Sequence, residues 1–324
     1  MATRPRLAVA LGDPRGIGAE VVARALAAPL EADITLIGAA DLLAGVPAAH
    51  RVPVGSWGFG LGEDGRRGLS PERQAGIPAS AELAALAGDL AGRSIAKAVE
   101  LVTSGAADAV VTAPVNKHAL HLAGYRYPGV TEFLAHLAGD VEVAMMLATG
   151  PLRVVLVTTH LPLREVADRV TTERVLSIGR ITAAALTQWW GLEHPRLAVC
   201  ALNPHAGEGG LFGDEDTRVL APAARLLGAA GPLPADTVFV RALRGEFDAV
   251  LAPYHDVGLT AIKVAGFGKG VNVTLGLPFP RTAPDHGTAF DIAGTGVADA
   301  GSMRVALEVG AELGSKARAA RGAA

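Results

Sequence analysis

Three apolar runs of the chain each lead into a histidine. RVVLVTTH ends at His160, RLAVCALNPH at His205 and DAVLAPYH at His255. Three neutral imidazoles with a fourth position left open are a common way to hold a catalytic divalent metal. For any one of them the plainer alternative is a capping or packing residue at a strand end. Three at equivalent places, beside the polar loops NPHAGEGG and YHDVG, favour the metal. Each run is β-branched and apolar, the pattern of a buried strand in a parallel sheet. Ligands of open α/β sheets sit outside the carboxyl ends of the strands, where these side chains would project from one sheet.

A second group of residues suits an anion. Lys263, Asn272 and Arg281 are spaced across the strand FGKGVNVTLG and its flanks, offering two cations and an amide for a phosphate or carboxylate. Asn116 and Lys117 lie just past a strand end in TAPVNK, where the lysine is either an anion contact or a solvated loop residue. In PGVTEFLAHL a turn leads into a helix, and Thr131 either caps it or touches a ligand. The loop DHGTAFDIAGTG (Asp285–Gly296) packs a histidine, threonines, aspartates and glycines together and is a candidate for gripping a cofactor. GDPRGIG (Gly12–Gly18) reads as a strand-to-helix turn whose N–H groups could meet an anion. Its glycines do not fit G-x-G-x-x-G, nor do those of GFGLG and GFGKG, and there is no Walker A or G-x-S-x-G sequence. The acidic run Asp214–Asp216 is expected to serve a helix N-terminus. Cys200, the single cysteine, lies in an apolar run and reads as core, which excludes an intrachain disulfide and C-x-x-C chemistry.

These residues need a frame. Half of the 324 residues are hydrophobic and 4% are aromatic, so the core must be aliphatic, and the length suggests two domains or one large α/β unit. A formal charge of −3 provides no basic field for nucleic acid or an anionic membrane. Val141–Leu163 is broken by Glu142, Pro151, Arg153 and His160 and is not a membrane span, and the N-terminal apolar run is too short for a signal-peptide core. A cytoplasmic location is expected. Strands over Leu7–Leu11, Ile34–Ile37, Ala109–Thr112, Val143–Leu147, Val154–Thr158, Leu197–Leu202, Thr237–Val240, Ala249–Ala252 and Val271–Leu275 alternate with helices over Ala19–Ala28, Ala81–Thr103, Thr172–Trp190, the stretch after Asp214, and Ser302–Leu313. That alternation predicts a parallel-rich α/β architecture. Val46–Ser80 reads as a long excursion or flap, and the tail after Leu313 is expected to fray.

GDPRGIGAE, TAPVNKHAL, PGVTEFLAHLAG, TTHLPL, NPHAGEGG, YHDVGL and VNVTLGLPFPRTAPDHGTAFDIAG follow one another from Gly12 to Gly294. The chain thereby resembles the 4-hydroxythreonine-4-phosphate dehydrogenase family of pyridoxal phosphate biosynthesis. The resemblance implies an isopropylmalate dehydrogenase-like fold: two α/β/α domains with a cleft between them and no Rossmann fingerprint. The expected first domain is 1–128 plus 286–324, and the second is 129–285. It implies oxidation of 4-hydroxythreonine 4-phosphate by NAD or NADP, with decarboxylation to 3-amino-2-oxopropyl phosphate. One divalent metal per active site (Zn, Mg, Mn or Co) would be held by His160, His205 and His255, in a site shared between the subunits of a homodimer. Thr131, Lys263, Asn272 and Arg281 would contact substrate, with Lys263 and Asp256 as candidate catalytic groups and Asp256 supporting the metal site. His286, Gly287, Thr288 and Asp291 would bind the adenosine part of the cofactor, in preference to the Gly12–Gly18 turn.

Two positions depart from the family pattern. Val130 stands where the family usually has His, and Val257 where it usually has Gln. Each replaces a hydrogen-bonding side chain by an apolar one, and losing a buried polar contact typically shifts discrimination by ~1–3 kcal/mol. An alternative substrate is therefore another phosphorylated four-carbon hydroxy acid of the threonate or erythronate type. A non-catalytic metabolite-binding homologue is the remote alternative, opposed by the retained histidines, Lys263, Asn272, Arg281 and the DHGTAFD loop.

Overall fold

The computed structural model describes residues 4–58 and 81–323. Its contacts divide the chain into two compact units, Met1–Val141 with Leu277–Ala324, and Glu142–Gly276. In chain order the first contains β1 (Arg6–Ala10), α1 (Gly18–Ala25), β2 (Asp33–Gly38), α2 (Ala40–Leu43), β3 (His50–Pro53), α3 (Ala81–Thr103), β4 (Ala109–Thr112), α4 (Lys117–Leu122) and α5 (Val130–Leu137). The second contains β5 (Ala144–Thr149), β6 (Leu152–Leu156), α6 (Leu163–Arg169), α7 (Thr172–Trp190), β7 (Leu197–Cys200), α8 (Ala221–Leu227), β8 (Ala230–Leu233), α9 (Ala235–Leu243), β9 (Ala249–Ala252), α10 (His255–Gly266) and β10 (Val271–Leu275). The chain then returns to the first unit with β11 (Arg281–Pro284) and α11 (Gly301–Ala323).

In the first unit the strands run β3-β2-β1-β4-β11, every neighbouring pair parallel. Residues 7–10 and 109–112 are buried on both faces, as parallel strands covered by helices must be. α3 lies tightly against α4 because Gly88 and Gly92 leave room: a Cβ on Gly88 would meet the Ala119 carbonyl oxygen at 1.9 Å. At the other end of β4, Asp108 is buried and takes ion pairs from Arg6, Arg318 and Arg321. Burial would raise its pKa, but the Arg6 hydrogen bonds and the neighbouring arginines hold it below the ordinary aspartate value. Arg318 and Arg321 bind α11 past Leu313, so the expected frayed tail is helix through Ala323.

The second unit orders its strands β10-β5-β6-β9-β7-β8, antiparallel across β10, β5 and β6 and parallel thereafter. Its core is aliphatic and includes Leu152, Val154, Leu156, Val250 and Cys200. Burial pushes the Cys200 thiol up to about 12, consistent with a packing residue. α7 has both ends specified locally: the Thr171 hydroxyl accepts from Arg174 N–H at 3.2 Å, and Gly191 closes the helix in the left-handed region.

Several expectations need correction. Thr237–Val240 is β-branched and aromatic, yet it lies in α9, where Val238, Phe239 and Ala242 share a buried face; the strand is the preceding β8. The excursion at Val46–Ser80 contains β3, paired with β2, while 59–80 lie outside the described residues, as does most of GFGLG. The units do not change at 128/129 and 285/286. α5 packs on α3 and β11 pairs with β4, which puts Thr131 and Arg281 in the first unit.

Candidate functional site

In the first unit three loops follow the carboxyl ends of neighbouring strands: GDPRGIG after β1, TAPVNK after β4 and DHGTAFD after β11. They are bound to one another. Gly12 has φ +74, and a Cβ there would lie 2.2 Å from the Pro114 carbonyl oxygen, so this approach requires glycine. Asp13 N–H donates to the same carbonyl at 3.1 Å, and the buried Asp13 carboxylate pairs with Arg15 at 2.7 Å. Arg15 in turn lies 4.9 Å over the Phe290 ring. Ile17 N–H donates to the Thr288 carbonyl at 3.0 Å. The Glu20 carboxylate accepts from Gly294 and Ala298 N–H, each at 3.2 Å, and Arg24 donates to the Gly296 carbonyl at 2.8 Å. GDPRGIG and the 285–296 loop are therefore in contact. Within the loop His286 has Nδ1 3.1 Å from the Gly287 carbonyl, and its Nε2 is buried without a hydrogen-bond partner among the described residues. Thr288 is half-buried, and Gly287 and Asp291 are exposed.

Arg281 opens β11 and is 4% exposed. It donates to Thr112 Oγ1 at 2.5 Å. Burial pushes its pKa down to about 10, with the charge of Glu132 opposing. Its planar guanidinium is suited to an anion. Thr131, beside Glu132 in the first turn of α5, is buried; Gly129 is the N-cap, so Thr131 is not the capping residue. Asn116 is a cap: its Oδ1 accepts from Ala119 N–H at 2.9 Å. Lys117 is exposed, and both its Nζ and Glu132 Oε2 lie within 4 Å of where a Cβ on Gly129 would be. Val130, the first residue of α5, is half-buried.

In the second unit His160 and His255 come together, with ring centroids 5.3 Å apart. β6 and β9 are neighbours, and beyond their ends Val157 N–H donates to the Ala252 carbonyl at 2.9 Å and Thr158 Oγ1 to the Pro253 carbonyl at 2.7 Å. His255 begins α10, and its Nδ1 lies 2.7 Å from Asp256 Oδ1. An ionised Asp256 accepts from Nδ1–H, which leaves the Nε2 lone pair available to a metal. Lys263, two turns along α10, is half-buried with Nζ 5.8 Å from the Phe267 ring centroid. It stands on a helix, not on a strand flank as expected. Asn272 on β10 has a buried Oδ1 without a hydrogen-bond partner among the described residues.

His205 does not join the other two histidines. Among the described residues no three His, Cys, Asp or Glu side chains form a group that could hold a metal. The reason is the backbone after β7. His205, Ala206, Gly207, Glu208 and Gly209 all have positive φ and make a left-handed turn. For a non-glycine residue this conformation costs ~1–2 kcal/mol. The turn leaves the His205 side chain 65% exposed, 4.0 Å from Glu208 and with its ring 6.3 Å from that of Phe212. Asp216 opens a helical turn, Asp216–Leu220, that runs into α8, as expected; its side chain is fully buried and accepts from Leu202 N–H at 2.8 Å and Asn203 N–H at 3.0 Å. Asp214 pairs with Arg218.

A cavity of about 560 Å³ lies in the second unit between α9 and α10, walled mainly by Phe239, Tyr254, Val257 and Val264. Asp236 and Asp256 are its carboxylates. Val257 thus contributes to an apolar wall. Asp236 carries no motif in the sequence: a lone aspartate two residues after Pro234 reads as an ordinary first-turn residue.

A family model described as pyridoxal phosphate biosynthetic protein PdxA matches residues 68–310. The 4-hydroxythreonine-4-phosphate dehydrogenase of Geobacter metallireducens is 45% identical over 342 residues, covering 96% of each chain. The D-threonate 4-phosphate dehydrogenase of Salmonella typhimurium is 42% identical over 327 residues, covering 95% of this chain and 98% of the relative. A crystal structure of 4-hydroxythreonine-4-phosphate dehydrogenase from Klebsiella pneumoniae superposes with a TM-score of 0.82 at 38% identity, covering 97% of this chain and 99% of that one. Together with two α/β units whose chemistry-bearing residues sit at strand ends, these matches make the chain a member of the PdxA family of pyridoxal phosphate biosynthetic proteins.

Proposed function

We propose that the protein is an NAD(P)-dependent, metal-dependent dehydrogenase that oxidises 4-hydroxythreonine 4-phosphate and releases its carboxylate as CO2. The observation that carries this is Arg281, a buried guanidinium whose pKa is depressed to about 10 at the start of β11. An anion delivered there would offset the cost of burying the charge. Thr131, Lys263, Asn272 and Arg281 bind the phosphorylated acid, Asn272 through the buried Oδ1 that has no hydrogen-bond partner among the described residues. His286, Gly287, Thr288 and Asp291 hold the adenosine end of the cofactor, His286 through the Nε2 that has no hydrogen-bond partner among the described residues.

His160 and His255 fit a divalent metal: their rings are adjacent and Asp256 orients His255. His205 supplies the third nitrogen from a second copy of the chain, which makes the active form a homodimer with its sites at the subunit interface. These residues would hold a metal that, when bound, would supply Lewis acidity at the substrate hydroxyl, and the nicotinamide cofactor would supply the hydride acceptor. Asp256 keeps the His255 tautomer, while Lys263 would neutralise the acid and serve as a proton carrier.

D-threonate 4-phosphate is the second substrate reading. It carries a hydroxyl where 4-hydroxythreonine 4-phosphate carries an amine, and Val130 and Val257 remove polar side chains that could tell them apart. The test is reduction of NAD and NADP with each substrate and added Zn²⁺, Mg²⁺, Mn²⁺ or Co²⁺. Turnover of neither substrate under any metal would overturn the proposal. Val130→His should raise kcat/KM for the amino acid by roughly tenfold if one hydrogen bond is regained.

A further inference from the structure

The turn that carries His205 is a construction in its own right. Three of its five left-handed residues, His205, Ala206 and Glu208, are not glycine, so the conformation must be imposed by what surrounds it. What surrounds it most firmly is Asp216. Its side chain is completely buried, and its two oxygens take the N–H groups of Leu202 and Asn203, the residues that lead from β7 into the turn. Glu215 continues the anchor by accepting from Asn203 Nδ2 at 2.8 Å. On the inner side, Gly207 is packed so closely that a Cβ would lie 2.9 Å from the Gly213 carbonyl oxygen and 3.8 Å from Asp216. The exposed imidazole is thus held at the tip of a rigid, strained turn pinned by a buried carboxylate.

We propose that Asp216 is a positioning residue for His205: by fixing the backbone of Leu202 and Asn203 it holds the left-handed turn that presents the imidazole to a metal. The inference rests on the reading of His205 as a metal ligand. Supports around metal ligands typically contribute 10- to 100-fold in affinity. Asp216→Asn keeps the shape but turns one acceptor into a donor facing a backbone N–H, and should weaken Zn²⁺ binding at least tenfold.

The experiment is calorimetric titration of the full-length, metal-stripped protein with Zn²⁺, alongside circular dichroism. Wild type, Asp216→Asn, Asp216→Glu, Gly207→Ala and His205→Ala are compared. The expected result is a loss of at least tenfold for Asp216→Asn, partial recovery for Asp216→Glu, and a larger loss for His205→Ala with its circular dichroism unchanged. Wild-type affinity in Asp216→Asn with a loss in His205→Ala would overturn the positioning role and leave the metal reading intact. Wild-type affinity in His205→Ala would overturn both. Should Asp216→Asn not fold, Gly207→Ala distorts the turn with the carboxylate retained: a tenfold loss there supports the role, and wild-type affinity refutes it.

Discussion

The two units present their chemistry in opposite ways. In the first, GDPRGIG, TAPVNK and DHGTAFD are tied to one another inside one chain through Gly12 against Pro114, Arg15 over Phe290, and Glu20 on Gly294 and Ala298. In the second, two histidines meet and the third stands exposed on the left-handed turn after β7. The first set of loops is joined within its unit; of the three histidines only His160 and His255 come together. The difference teaches that loops of both units carry strain but only one set is tied together within its own unit. In the first unit positive φ falls on Gly12 and on Ala289, whereas after β7 it is concentrated on the consecutive residues His205, Ala206 and Glu208 with their intervening glycine.

The largest expected effect breaks the histidine set across subunits. His205→Ala and His160→Ala should each abolish metal-dependent turnover. Mixing and reassembling the two should restore roughly a quarter of wild-type activity, because half of randomly formed dimers are hybrids and each hybrid keeps one of two sites. No recovery on mixing would mean that both histidines act in the same chain.

Next is Arg281→Lys, which exchanges a planar fork for a point charge. It should raise KM for the phosphorylated substrate by roughly 30- to 100-fold, the equivalent of ~2–3 kcal/mol, and leave the cofactor KM within about twofold. Equal effects on both constants would mean that Arg281 serves the fold of the first unit and not the substrate.

A smaller effect tests the loop cluster. Glu20→Gln keeps one carbonyl acceptor for Gly294 and Ala298, so the loop should loosen without collapsing. The cofactor KM should rise about fivefold, close to 1 kcal/mol, with kcat and the substrate KM unchanged in steady-state assays.

The smallest concerns pH. The folded pKa of Arg281 is lowered from 12.5 to about 10, so its cation is present at neutral pH and lost as pH rises through about 10. Over that interval the unfolded chain still binds the proton, and this group's contribution makes the folded state more stable with rising pH. The gain in Tm conferred by inorganic phosphate should therefore fade above about pH 10, while in Arg281→Lys it should be small throughout. A phosphate-induced gain undiminished at pH 11 would remove Arg281 from the anion site.

Much of this was legible in the amino-acid order alone. Buried parallel strands are continuous apolar runs, so β1, β4, β6, β7 and β9 could be read directly, and with them the strand-end placement of His160, His205 and His255. The ordered motifs from Gly12 to Gly294 carried the family. Sequence did not reveal that Thr237–Val240 is helical, since β-branched residues accept either state when one face is buried. Nor did it reveal the roles of residues whose partners are distant along the chain. Asp216, read only as a helix-end charge, also holds the Leu202 and Asn203 N–H groups, and Arg281, read as an anion contact, is buried where β11 pairs with β4. Residue type and spacing determine what chemistry is on offer and at which strand ends. Tertiary structure decides which of those groups meet, because backbone handedness, as at Gly207, and burial, as at Arg281, depend on neighbours that local sequence does not contain.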